Sequence, residues 1–466
     1  MGYFPPIMQF IPQPSFSRAP RVVPTLSRTL AGPCLALLLA PWLAAAAEWP
    51  HWRGPNFDGS SAARNLPTTF SRTENVRWSV PLPGAAASTP VVAAKRIFLS
   101  STDQRTQELL AIGLDAETGA VLWQRSIAPG IGRDNRSNYS APSPVTDGRH
   151  VWFYYSTGEL IAMDLEGTEV WRRNLQRDYG EFAFLWTYSS SPLLFDGRLY
   201  LQVLQRDVPV SGRGRSDGPN DPYLLALDPS TGKELWRQVR PSDADGESRE
   251  AFTTPIPLLG TERPEILVAG GDCITGHHPA TGRELWRWGT WNPDRISHWR
   301  LVPSPVAGGG VILAAAPKGG PVIAVKTGRS GALGEDDLGW TSDGRAVSTD
   351  VATPLFYQGR FFVLDGNRKS LTCVEPATGK VLWSGEFESR AIFEASPTGA
   401  DGRIYCINHR GQVFVAAAGD GFELLHQTDM GDASDRMVRS SIVAVGERLL
   451  IRTDSRLTCV AYPDTR

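Results

Sequence analysis

Net charge of either sign is nearly absent from this sequence: 47 Lys and Arg stand against 49 Asp and Glu, a formal net charge of −2. No global field therefore argues for nucleic acid or an anionic membrane surface as partner. Cysteine is scarce, five in 466 residues. No two cysteines are adjacent or spaced C-x-x-C, so a c-type haem attachment is excluded and no disulfide is specified. Beyond the N-terminus no apolar run reaches the ~18 residues that a membrane-spanning helix needs. Helical periodicity appears over no useful length. H-E-x-x-H, G-x-S-x-G and Walker patterns are missing. "SDADGES" (242–248) lacks the first acid and the closing Glu of a calcium loop, and His277-His278 is an adjacent pair without metal-type spacing.

The N-terminus reads as an export signal. Residues 1–29 carry Arg18, Arg21 and Arg28 and no acid, and "LAGPCLALLLAPWLAAAA" (30–47) follows, apolar and ending in alanines. A basic stretch, a short apolar core and a small-residue end describe a secretory signal over 1–47, cleaved after Ala47, and a periplasmic or secreted location. Cys34 precedes the apolar core and follows Pro33, which argues against a lipoprotein. Of the remaining cysteines, Cys373 ("LTCVEP") and Cys459 ("LTCVAY") occupy the slot of Ala226 in "LLALDP" and read as small buried residues.

Tryptophan is what the sequence has in excess, 15 in all. "DAETGAVLW" (115–123), "DPSTGKELW" (228–236), "HPATGRELW" (278–286) and "EPATGKVLW" (375–383) are versions of one phrase. Anchored on tryptophan, the series runs Trp78, Trp123, Trp171, Trp236, Trp286, Trp340 and Trp383, with His426 in the next slot. Successive anchors lie 43 to 65 residues apart, and the minimum suits a four-stranded propeller blade. Within each unit a Ser/Thr-Pro step opens a short apolar run, as in "STPVV" (88–92), "PSPVT" (142–146) and "ATPLF" (352–356). A tight turn such as "DGR" follows, then two further runs, then the D-x-x-T-G turn and the tryptophan-bearing strand. Short β-branched runs bounded by Gly, Asp and Pro predict antiparallel strands, and Asp-Gly predicts two-residue hairpins. The tryptophans are expected to fill joints between neighbouring sheets. His426 marks a weaker joint.

The unit count gives the fold class: all-β, an eight-bladed propeller of four-stranded antiparallel blades over 48–466. Seven units are complete. "SSIVAVGERLLIRTDSRLTCVAY" (440–462) supplies three strands without an outer one, and "NVRWSVPL" (75–82) is an outer strand without inner ones. Joining them closes the ring and removes its exposed edges.

The pattern A-x-D-x-x-T-G-x-x-x-W, present as Ala226, Asp228, Thr231, Gly232 and Trp236, resembles the tryptophan-docking repeat of PQQ-like eight-bladed propellers. That superfamily includes quinoprotein alcohol dehydrogenases and the propeller lipoprotein of the outer-membrane barrel-assembly complex. "WPHWRGPNFDG" (49–59) is similar to the start of many exported PQQ-like repeat proteins. The resemblance spans 49–466 and implies the fold far more than any activity. A dehydrogenase of this kind would imply an adjacent cysteine pair against the cofactor, a calcium held by Glu and Asn, and an Asp base.

Strand alternation puts the blade-to-blade links and second-to-third loops on one face, and function is expected on those long loops. The residues before each first strand are expected to ring a central channel mouth. Tyr139, Trp186 and Tyr188 supply aromatics. Arg249, Glu250, His298, Trp299 and Arg300 follow, with Asp350, Glu394 and Arg439 completing the candidate set. Aromatics mixed with Arg and carboxylates suit a polar ligand or peptide. The expected function is a non-enzymatic binding or assembly scaffold of the bacterial envelope, engaging an envelope protein, peptide or small polar ligand, without nucleic acid, cofactor or metal, and as a monomer. The alternative is a PQQ- and calcium-dependent dehydrogenase with its site in the channel.

Overall fold

The computed structural model describes residues 49–463 apart from 133 and 135. The export segment expected over 1–47 lies outside the described residues. Eight sheets form among them: five from consecutive strands, two neighbours that interleave through Gly331–Ala332, and one from the two ends. Blade 1 comprises Val91–Ala93, Arg96–Asp103, Glu108–Asp115 and Val121–Pro129. Blades 2 to 7 open on the inner strands Val145–Thr146, Leu193–Phe195, Ile256–Leu258, Val306–Gly308, Leu355–Tyr357 and Thr398–Ala400. Blade 8 joins Val443–Val445, Arg448–Arg452 and Arg456–Val460 to Val76–Pro81, with Trp78 opposite Cys459 and Val80 opposite Leu457. The ring closes as the sequence pattern implied.

The hairpins follow from turn chemistry. Asp196-Gly197, Gln358-Gly359 and Asp401-Gly402 each connect an inner to a second strand with positive φ at both positions (47° and 68°, 49° and 74°, 51° and 73°). This is the type I′ geometry that matches strand twist. In the D-x-x-T-G turn, Asp228 Oδ1 accepts the Ser230 and Thr231 N–H groups at 2.8 and 3.0 Å. Gly232 is there for two reasons. Its φ is +68°, and a Cβ would lie 2.7 Å from the Trp171 ring of the preceding blade.

Six of the seven anchor tryptophans dock onto the next blade's turn. The indole Nε1 of Trp123 donates to Leu165 O at 2.8 Å, Trp171 to Pro229 O at 2.8 Å, Trp236 to Pro279 O at 3.0 Å, Trp340 to Pro376 O at 2.7 Å and Trp383 to Gly419 O at 2.9 Å. Trp78 reaches Ala116 O at 3.3 Å. Opposite each ring, on the third strand, stands a small residue: Gly113, Ala162, Ala226, Gly276, Ala324, Cys373 or Cys459. Trp286 departs from the series. It donates to Glu265 Oε2 of its own blade at 2.5 Å, and a fifth strand, Gly331–Ala332, pairs parallel beside it.

The joint at His426 takes its filling from another segment. Phe70, fully buried, packs its ring 5.2 Å from the imidazole, and His426 Nε2 lies 2.7 Å from Phe70 O. The N-terminal segment thus fills the seam that the missing tryptophan would leave open.

That same segment straps the tight-turn end of the ring. Trp49 N donates to Val92 O at 2.9 Å in blade 1, and Thr146 N of blade 2 donates to Pro50 O at 3.1 Å. Phe356 N of blade 6 reaches Asp58 O at 3.2 Å, Ser61 N reaches Gly399 O of blade 7 at 3.0 Å, and Ser61 Oγ reaches Ala444 O of blade 8 at 2.8 Å. At its centre Arg53, 1% exposed, donates to Pro354 O at 2.7 Å, Pro397 O at 2.9 Å and Asp58 O at 3.0 Å. "WPHWRGPNFDG" is a strap across the channel.

Candidate functional site: a central cavity

The Ser/Thr-Pro steps converge at the ring's axis. Thr89, Ser143, Ser191, Thr254, Ser304, Thr353, Ser396 and Ser441, one per blade, all line a central cavity of about 200 Å³. They form a belt in which the backbone N–H of one blade donates to the hydroxyl of the next. Thr89 donates to Ser143 (2.9 Å), Ser143 to Ser191 (2.9 Å), Ser191 to Thr254 (3.0 Å) and Thr254 to Ser304 (2.8 Å). Ser304 donates to Thr353 (2.9 Å), Thr353 to Ser396 (3.0 Å) and Ser441 to Thr89 (3.1 Å). Two residues earlier in each blade the extended backbone points a second side chain inward, which places Ala87, Ala141, Ser189, Phe252, Val302, Val351, Glu394 and Arg439 on the wall. Trp52, carried by the strap, closes the floor, and its Nε1 is buried without a hydrogen-bond partner.

The mouth, on the loop-rich face, is built around Trp186. Its indole lies between two guanidinium groups, Arg136 at 5.4 Å and Arg300 at 5.9 Å from the ring centre. Its Nε1 donates to Glu247 Oε1 at 2.9 Å, the oxygen that Arg300 also engages at 3.0 Å. Across the mouth Arg439 pairs with Glu394 and donates to Arg136 O, and His409 Nε2 lies 2.9 Å from Glu394 Oε2. Burial alone would raise the Glu394 carboxyl. The adjacent His409 and Arg439 outweigh it and hold the group down at about 2.

Four residues singled out from sequence, Trp186, Arg300, Glu394 and Arg439, line this cavity. Tyr139 and Tyr188 border an adjoining hollow with Phe182 and Arg213. Tyr188 is buried there, with its hydroxyl donating to Gln202 O at 2.6 Å. Glu250 is fully buried: Oε1 pairs with Arg206 at 2.5 Å, Oε2 has no partner, and burial lifts its pKa to about 6. Arg249 pairs with Asp207 at 3.4 Å, Asp350 accepts the Lys318 N–H at 2.9 Å, and His298 is exposed. Trp299 is half-buried against the core. Sequence reasoning missed Arg136, Trp52 and the belt. For the belt a signal existed, because Ser or Thr precedes Pro at the head of seven blades.

The lining does not supply the groups that a quinone–calcium pair of the dehydrogenase type would imply. Glu394 is the one carboxylate on the wall among the described residues, and it is already engaged. Cys273, Cys373, Cys406 and Cys459 are separate and buried within blades. No group of three His, Cys, Asp or Glu side chains suited to a metal occurs among the described residues.

Residues 68–208, 167–338 and 332–463 match the family described as outer membrane protein assembly factor BamB. No curated protein sequence matches. Among solved structures, BamB from Moraxella catarrhalis is 14% identical with a TM-score of 0.56, covering 83% of this chain and 99% of its own. Quinohemoprotein alcohol dehydrogenase from Comamonas testosteroni is 14% identical at 0.60, covering 90% and 81%. A europium-containing methanol dehydrogenase is 13% identical at 0.61, covering 89% of each chain. At these identities the likeness is one of fold.

Proposed function

The chain belongs to the family of outer membrane protein assembly factor BamB, and from that premise we propose that it is an exported, non-enzymatic binding and assembly scaffold of the bacterial envelope. Its working surface is the loop-rich face. One observation carries this reading: Trp186, half-buried, sits between Arg136 and Arg300 at the mouth of a cavity whose one wall carboxylate among the described residues is held by Arg439 and His409. Aromatic and Arg anchors around a pocket are what binding surfaces use. A carboxylate held ionised by two partners is a poor proton donor or acceptor near neutral pH. The partner is an envelope protein, a peptide or a small polar ligand, and the scaffold acts as a monomer. Export over the basic-apolar segment 1–47 brings it to the periplasm or beyond. Among the described residues no helix is long and apolar enough to cross a membrane.

The test is capture of partners from envelope extracts by tagged protein, compared with a Trp186→Ala, Arg136→Gln double variant. The expected result is a folded variant with sharply reduced capture. Undiminished capture would remove the loop-rich mouth from the function. A PQQ-dependent dehydrogenase is the second reading. The fold match over 90% of the chain favours it, and the engaged Glu394 and the missing adjacent cysteines weigh against it.

A further inference from the structure

The hydroxyl belt has a polarity. Each of Thr89, Ser143, Ser191, Thr254, Ser304, Thr353 and Ser396 spends a lone pair accepting a backbone N–H from its neighbour. A hydroxyl that accepts in this way retains its O–H as a donor. No protein acceptor takes those protons among the described residues, and every one of these side chains faces the cavity while being more than nine-tenths buried. The floor adds the unpartnered indole N–H of Trp52. At the mouth the Arg136 guanidinium lies over Trp186, with no hydrogen-bond partner among the described residues. The acceptor that could balance this set from the wall, Glu394, is committed to Arg439 and His409. The cavity is thus a concave surface of converging donors with a cation above it, and buried donors left unpaired are unfavourable.

We infer that the central cavity is a receptor for a small oxyanion, a carboxylate or an inorganic oxyanion, held by the belt hydroxyls below and by Arg136 above. An oxyanion is acceptor-rich and matches the donor set; a neutral polyol would bring as many donors as acceptors. The anion is either free or the terminal carboxylate of a peptide presented to the mouth. The inference deepens the scaffold reading in the sense that it rests on the loop-rich mouth as the point of access.

The experiment is calorimetric titration of the full mature chain with sodium formate, inorganic phosphate, and a short peptide with a free or an amidated C-terminus, using acetamide as the neutral control. Binding of formate or phosphate without the peptide identifies a free anion. Binding of the free-terminus peptide but not the amidated one identifies a peptide terminus. Arg136→Gln is expected to weaken binding about tenfold, the loss of one charge-assisted hydrogen bond. Val351→Trp fills the cavity from the wall, leaves every belt residue in place in the sequence, and should abolish binding. Its fold is checked by an unchanged circular dichroism spectrum, and should it not fold, Ala87→Leu on the same wall replaces it. Absence of binding by every anion, or binding that both cavity-filling variants retain, overturns the inference. Intact partner capture with no anion binding would sink this inference alone, and anion binding with capture unaffected by the mouth variants would sink the scaffold reading alone.

Discussion

Replacing Arg53 with Met probes the strap that closes the tight-turn end. The wild-type guanidinium donates to three carbonyls, Pro354, Pro397 and Asp58, at 2.7 to 3.0 Å. Hydrogen bonds from a charged donor contribute about 1.5–3 kcal/mol each, so their loss costs roughly 4–9 kcal/mol. Against this stands the burial of the charge. Burial lowers the Arg53 pKa from 12.5 to about 10, with Asp58 opposing. A base with a depressed folded-state pKa is less stable folded than neutral burial would be, here by about 3 kcal/mol at neutral pH, and Met recovers that term. Met also fills most of the same volume. The balance is a net destabilisation of roughly 1–6 kcal/mol; Nε, already unpartnered, adds nothing to the loss. Two assays read it: the urea midpoint, and limited proteolysis between residues 49 and 66. The expected outcome is earlier unfolding with cleavage in the strap preceding loss of the blades. A variant with the wild-type midpoint and an uncut strap would refute the account of the strap as a structural element closing the channel.

Trp123→Ala removes a 6%-exposed ring and its bond to Leu165 O, and should cost about 3–5 kcal/mol by chemical denaturation. Gly167→Ala should damage the same joint from the other side, because its φ is +76° and a Cβ would lie 2.5 Å from Trp123 Cδ2. Phe70→Ala should loosen the seam between blades 7 and 8, read as loss of hydrogen-exchange protection in Leu424–Asp429 relative to the outer strands of other blades. Glu394 has a folded pKa lowered from 4.5 to about 2, so it contributes stability above pH 4.5 that is lost as pH falls toward 2, about 3 kcal/mol in all. Glu394→Gln should flatten that limb of the stability–pH profile, and an unchanged limb would contradict the ion-pair assignment. Burial pushes the Cys373 thiol up to about 11, and all four described cysteines are buried, so a thiol reagent should label none of them before unfolding.

The blade repeat was legible because one phrase performs two local tasks. Asp228 and Gly232 make a turn, and Trp236 is too large to leave exposed, so periodic spacing and chemistry agree on the same hairpin. Closure was legible for a similar reason: an outer strand without partners at 75–82 and three strands lacking one at 440–462 complete each other. What a single position does against a distant one was not legible. Phe70 filling the His426 joint is a contact 356 residues apart in sequence, and no local pattern announces it. The strap was visible as a motif, "WPHWRGPNFDG", without any indication that Arg53 would satisfy carbonyls 301 and 344 residues away. At the site, Trp186, Arg300, Glu394 and Arg439 were found because they precede inner strands, where the chain must pass the channel. The same rule also selected Tyr188 and Glu250, whose side chains turn into the core. Position along the chain locates the backbone at the mouth; packing decides which way each side chain points. The belt hydroxyls stand in the sequence as part of the repeat, yet their convergence follows only from the ring's closure.

The central claim is that this propeller binds rather than oxidises. Its most direct test is to supply the mature protein with PQQ and calcium and to follow dye reduction with alcohol and sugar substrates and an artificial electron acceptor. The account predicts no substrate-dependent dye reduction above the protein-free rate, because the cavity wall offers neither an adjacent cysteine pair nor an uncommitted carboxylate among the described residues. Robust reduction that needs PQQ, calcium and substrate together, and that falls when Glu394 is changed to Gln, would contradict it.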